Sequence, residues 1–146
     1  MRNILSGIAT LCLILVSYSV SFGQNADAIT GVWYTENDKS LVEVWKYNGL
    51  YYGKIIWLRD SLDANGKMKV DKNNPKEALR SKTVVGLQML NNLKYEDGEW
   101  KDGKIYDPES GNEYSCKAVL NGSTLDLRGY ILGMPFLGRT TKWRKK

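Results

Sequence analysis

Short β-prone runs separated by Asn-Gly, Asp-Gly and Asp-Pro pairs fill this chain, and that punctuation constrains its fold more than any other feature. From residue 91 onward the breaks fall at Asp97-Gly98, Asp102-Gly103, Asp107-Pro108 with Gly111-Asn112, and Asn121-Gly122. Asn, Asp and Gly accept the positive φ of tight reversals, so each break predicts a turn between antiparallel strands. Residues 106–143 therefore read as the closing sheet of a small all-β domain.

The earlier strands follow the same logic. Residues 30–35 carry Gly31-Val32-Trp33-Tyr34, a β-prone run. Residues 41–47 and 50–58 meet across Asn48-Gly49, and a two-residue turn there sets Tyr47 opposite Leu50, Trp45 opposite Tyr52, Glu43 opposite Lys54 and Val42 opposite Ile55. Opposed residues share a face. Val42, Val44, Tyr51, Ile55 and Trp57 then form a core face, while Trp45 and Tyr52 lie on a second, aromatic face expected to be covered by a neighbouring segment. Residues 59–71 are polar; the spacing around Gly66 puts Ser61 and Lys72 where a calcium loop requires Asp and Glu, so they form a turn rather than a metal loop. Asn74-Pro75 with Glu77 predicts one short helix, ending near Ser81. Residues 83–90 return to a near-continuous apolar β run.

Further on, Tyr114, Cys116, Ala118 and Leu120 alternate with polar neighbours, as do Leu125 and Leu127 with Asp126 and Arg128. One side is wet and the other packed. Eight or nine strands are too many for one open sheet of this length, and closure removes exposed edges. The expectation is a small antiparallel β-barrel with one short helix; a β-sandwich is the alternative.

The first residues read as a leader. Residues 4–20 are apolar after the basic Arg2, and no further charge occurs before Asp27. Ser21 with Gly23, or Ala26 with Ala28, suits a signal-peptidase site. We expect a signal peptide over residues 1–23, cleaved after Gly23 with Ala28 as the second choice, and a single domain over 24–146. The run is interrupted by Thr10, Ser17 and Ser19 and is marginal against the roughly 20 residues a membrane span needs. The mature chain is thus expected to lack a span and to be periplasmic or extracellular. Cys12 lies inside the run behind Leu11, which does not suit lipid attachment.

Loss of the leader leaves Cys116 as the sole cysteine, so no intramolecular disulfide forms despite export, and the alternation makes Cys116 a small buried hydrophobe. The chain has no histidine, which removes Ser-His and Cys-His dyads and every His-containing metal site. No metal or cofactor is expected. The net charge of +5 is concentrated only in the tail, residues 142–146, and nucleic acid is not expected as a partner.

Residues Gly103, Tyr106, Asp107, Pro108, Gly111, Asn112 and Tyr114, with Leu127-Arg128-Gly129-Tyr130 and Gly138-Arg139-Thr140 before Trp143, resemble the exported bacterial family known as domain of unknown function 2147. Gly31-Val32-Trp33, Asn74-Pro75, Leu79-Arg80 and Gly86-Leu87 match it as well. The resemblance implies a secreted or periplasmic single-domain protein and brings no activity with it. Gly31-Val32-Trp33 and Arg139 also resemble the lipocalin pattern of Gly-x-Trp on the first strand and Arg near the last. That likeness implies that Arg139 lies over Trp33 as a cation-π lid at the closed end.

Three functions remain open. The first is a binding module for a small apolar or amphipathic ligand, with Trp57, Tyr106, Tyr114 and Arg128 as candidate contacts. The second is a filled barrel acting in protein-protein interaction or envelope structure through Trp45 and Tyr52, or through the apolar stretch 132–137, which is expected to plug the barrel. The third is an enzyme working through Asp107, Arg128 and Arg80, the reading these residues favour least, because Asp before Pro already has a sufficient role in capping its turn.

Overall fold

The computed structural model describes residues 25–146; the expected signal peptide and its cleavage site after Gly23 lie outside them. Eight strands follow in order: β1 (Gly31–Tyr34), β2 (Ser40–Tyr47), β3 (Leu50–Leu58), β4 (Gln88–Glu96), β5 (Glu99–Asp107), β6 (Asn112–Asn121), β7 (Thr124–Ile131) and β8 (Met134–Lys145). Each pairs antiparallel with the next, and β8 returns to β1, closing an up-and-down barrel. Closure rather than a sandwich leaves no open sheet edge at this seam.

The β2–β3 hairpin has the expected register, with Tyr47 opposite Leu50, Trp45 opposite Tyr52, Glu43 opposite Lys54 and Val42 opposite Ile55. Asn48 and Gly49 both take positive φ, the geometry that matches the twist of the flanking strands. Beyond Ile55 the pairing slips, because Leu41 opposes Trp57 and Ile56 is the extra residue of a bulge. The bulge reverses the alternation, and Trp57 is 42% exposed rather than part of the core.

Three other expectations are corrected. Asp102-Gly103 makes no turn; it lies inside β5, where the pairing with β6 shifts between Trp100 and Gly103. A Cβ on Gly103 would stand 2.6 Å from the Leu93 side chain, so the glycine serves close packing. The expected helix after Pro75 is a single 3₁₀ turn, Glu77–Leu79, and the Asn74 side chain accepts from the Lys76 N–H instead of capping a longer helix. Strand β4 begins only at Gln88, because the chain turns at Gly86, where φ is +96°.

The two ends of the barrel differ. At one end the 3₁₀ turn Ala26–Ile29 is packed across the opening. The Trp33 indole donates to the Ile29 carbonyl (2.8 Å) and the Trp100 indole to the Ala26 carbonyl (2.9 Å). Asp27 accepts from Lys46 and from the Tyr51 hydroxyl, and these bonds hold its carboxyl below the usual carboxylate range. Above this floor the buried side chains of Trp33, Val44, Tyr51, Leu93, Trp100 and Leu125 pack the adjoining half of the bore. The other end gathers the turns 35–39, 108–111 and 132–133 and the long excursion 59–87 between β3 and β4.

Cys116 faces the core, fully buried, and burial pushes its thiol up to about 12. Thiolate is the reactive form. Iodoacetamide is therefore expected to leave Cys116 unmodified in the folded protein and to label it at the rate of global unfolding; rapid labelling under native conditions would contradict this packing.

Candidate functional site

The solid core stops half-way up the barrel. Above it lies a cavity of about 1460 Å³, measured out to its rim, opening at the end opposite the 3₁₀ floor. Its walls are apolar: Ile55, Leu58, Met89, Ile105 and Leu127, with Trp143 below. Its rim carries both signs equally, with Lys39, Arg59, Lys69, Lys72 and Arg139 interspersed among Glu36, Asp60, Asp63, Asp107 and Glu109.

The strand alternation explains why space remains. Leu125, Leu127 and Gly129 occupy successive inward positions of β7, and at the third there is no side chain. A Cβ added at Gly129 would make only ordinary contacts, 3.5 Å from Ile105 and 3.8 Å from Tyr114. The inward glycine was readable from the alternation, although its consequence for the interior was not.

One wall of the mouth is held by a buried polar cluster. Asp71, 1% exposed, accepts from the Tyr106 hydroxyl (2.7 Å) and from the Asn74 amide (2.7 Å). Burial first, and then the Asp71 bond, push the Tyr106 phenol up to about 12, so it remains a donor throughout the physiological range. Nearby, the Asn73 amide donates to the Glu109 carbonyl and Arg80 to the Asn74 carbonyl. The Asp71–Tyr106 and Asn73–Glu109 bonds latch the excursion onto the β5–β6 hairpin, and the other two brace it from within. Asp71 escaped the sequence reading because it sits in a polar stretch where burial leaves no local mark.

Residues 31–145 match the family model described as an uncharacterized protein conserved in bacteria, DUF2147. The chain belongs to this family. The DUF2147 barrel also resembles a solved structure, protein HP1028 from Helicobacter pylori, described as belonging to the lipocalin family; the two share 26% identity with a TM-score of 0.70, over 80% of this chain and 82% of that one. No curated protein matches the sequence. The architecture is accordingly lipocalin-like.

Within the DUF2147 barrel the candidate contacts separate. Tyr106 and Tyr114 line the cavity, although the Tyr106 hydroxyl is engaged by Asp71. Trp57 does not reach it, because the β2–β3 bulge turns its side chain outward. Arg128 does not reach it either: it lies one residue out of phase with Leu127, and its guanidinium donates to Thr140 Oγ1 and to the Pro135 carbonyl (2.9 Å) on the outer surface. The Trp33–Arg139 pair is also corrected. β8 meets β1 at Lys145 opposite Trp33, and the Lys145 ammonium stands 4.5 Å from the Trp33 ring while donating to the Ala28 and Thr30 carbonyls. Arg139 lies six residues away, roughly 20 Å along an extended strand, and binds Glu36 at the open end.

The remaining expectations resolve similarly. Asp107 caps its own turn, accepting from the Glu109 N–H and the Ser110 hydroxyl, while Arg128 and Arg80 have the separate partners described above. No hydrogen bond joins the three among the described residues. Trp45 and Tyr52 stack on the barrel exterior with ring centroids 5.9 Å apart, and Lys54 sits over Trp45. They cover one another instead of lying beneath a neighbouring segment. Residues 131–137 do not plug the barrel; they form the tip of the β7–β8 hairpin, with Leu132 and Phe136 about three-quarters exposed. Among the described residues no helix is long and apolar enough to cross a membrane.

Proposed function

We propose that the chain is an exported binding module that holds a small apolar or amphipathic molecule in the open half of its barrel. The observation that carries this reading is the division of the bore into a filled lower half and an apolar cup opening through a charged rim. Apolar walls with a few polar groups at the mouth suit a ligand with a hydrocarbon body and a polar end. Lys39, Arg59, Lys69 and Lys72 stand where that polar end would emerge. The likeness to a lipocalin-family structure supports the same reading. Export rests on the apolar leader ahead of Asp27.

A fluorescent fatty-acid probe tests the cavity directly. The protein is expected to bind it saturably, and Gly129→Phe, which grows a ring into the cup from a position with room for its Cβ, is expected to weaken binding at least about tenfold, the equivalent of some 1.4 kcal/mol. Absence of saturable binding by the unmodified protein would sink the reading, as would undiminished binding by a Gly129→Phe protein of normal thermal stability.

A further inference from the structure

Ten consecutive residues, 129–138, carry no charge and form the end of the β7–β8 hairpin. Its apolar side chains face water: Leu132 is 74% exposed, Phe136 76%, Leu137 47% and Met134 44%. An isolated apolar segment beside an apolar cup would gain by folding into it. Here it is held outward. Arg128 ties its guanidinium to the Pro135 carbonyl on the far strand, and Gly138 packs so closely that a Cβ there would stand 2.5 Å from the Gly129 carbonyl oxygen.

A second apolar projection flanks the same mouth. Leu62 bridges Met68 across a turn closed by Asp63, whose carboxylate accepts from the Asn65 and Lys67 N–H groups. Leu62 and Met68 are 52% and 43% exposed. Val70 of this projection and Leu137 of the hairpin both line the cavity rim. Two apolar projections thus border one opening, and exposed apolar surface of this kind marks an interaction site.

The rim as a whole balances five basic residues with five acidic ones, and it is the excursion whose charge points to an anionic partner. Between Arg59 and Lys82 the excursion holds seven basic residues against four acidic ones, and of the four Asp71 is buried. A surface with an apolar interior beneath anionic headgroups accommodates both features, because it admits separate apolar tips and pairs with the lysines around them. We propose that the open end of the barrel docks on an anionic lipid surface, inserting the β7–β8 hairpin with the excursion's lysines at headgroup level. The mouth then faces the layer from which apolar molecules are drawn or to which they are delivered.

The test is co-sedimentation of the full chain with vesicles of phosphatidylcholine, with and without phosphatidylglycerol. Binding is expected to need phosphatidylglycerol and to fall at least about tenfold in a Leu132→Asp, Phe136→Asp double variant, since the transfer of either side chain alone is worth about that much. Residues 1–24 are common to both proteins, so the difference reports the hairpin. Both positions point into solvent; an unchanged thermal midpoint and unchanged fatty-acid probe binding would show that fold and cavity survive. The proposal is overturned if binding ignores phosphatidylglycerol, if the double variant binds as before, or if the protein is instead a dimer that the same substitutions dissociate. Docking without probe binding would overturn the cavity reading and leave this one standing.

Discussion

Trp100→Ala is expected to destabilise the barrel by about 3–5 kcal/mol, lowering the midpoint of thermal unfolding by roughly 10–20 °C. The indole is fully buried, meets Tyr51 edge-on at 6.4 Å and packs against Tyr95 at 5.0 Å. It also donates to the Ala26 carbonyl, joining the 3₁₀ floor to β5 across 74 residues of sequence. Truncation therefore removes packing from the filled half of the bore and the tether of its floor together. Trp100→Phe separates the two, because it keeps most of the volume and deletes the donor, and about 1–2 kcal/mol is expected for it. Circular dichroism on heating measures both. A loss below about 1 kcal/mol for the alanine variant would mean that the aromatic cluster does not organise the closed end.

The second large effect is expected at Gly111. Its φ is +75°, and a Cβ there would lie 2.0 Å from the Asn73 carbonyl oxygen. Gly111→Ala carries the cost of a left-handed backbone, roughly 1–2 kcal/mol, and forces the two segments apart. Asn73 has little room to yield, because its amide is bound to the Glu109 carbonyl and the neighbouring Asp71, Asn74 and Tyr106 are bonded to one another. Opening of the excursion is the expected result. Hydrogen exchange at the Asp71, Asn74 and Val84 amides, which bond within the excursion, should accelerate on the order of 100-fold, while amides of the closed half keep their protection. Uniform acceleration along the whole chain would show that no separate latch exists.

Where turn chemistry is local, the sequence describes this fold well. Asn48-Gly49 and Asp97-Gly98 each close a hairpin, Gly122 with Ser123 closes the one expected at Asn121-Gly122, and the alternations through Cys116, Ala118, Leu125 and Leu127 point inward as their period requires. These signals depend on residues a few positions apart. Errors arise where the deciding partner is distant in sequence. The bulge that exposes Trp57 shows only in the pairing of β3 with β2, where the register shifts between Leu41 and Val42, and Asp102-Gly103 looks like a turn until Leu93 from another strand is placed against it. Arg139 and Lys145 are both cations near the last Trp, and only the closing register of β8 on β1 chooses Lys145 to cover Trp33. The outward course of residues 131–137 depends on Arg128, whose hydrogen bonds to that hairpin have no sequence signature.

The 3₁₀ floor limits how far the N-terminal side of the barrel tolerates trimming. Ala26, Asp27 and Ile29 supply the carbonyls, the carboxylate and the apolar side chain that seal the closed end. A peptidase cutting after Gly23 releases a chain that still carries this seal. One cutting after Ala28 discards the acceptors of Trp100, Lys46 and Tyr51 and uncovers the packed half of the bore. Residues 25–29 are thus part of the folded domain, and a chain trimmed into them is expected to be less stable than one that keeps them.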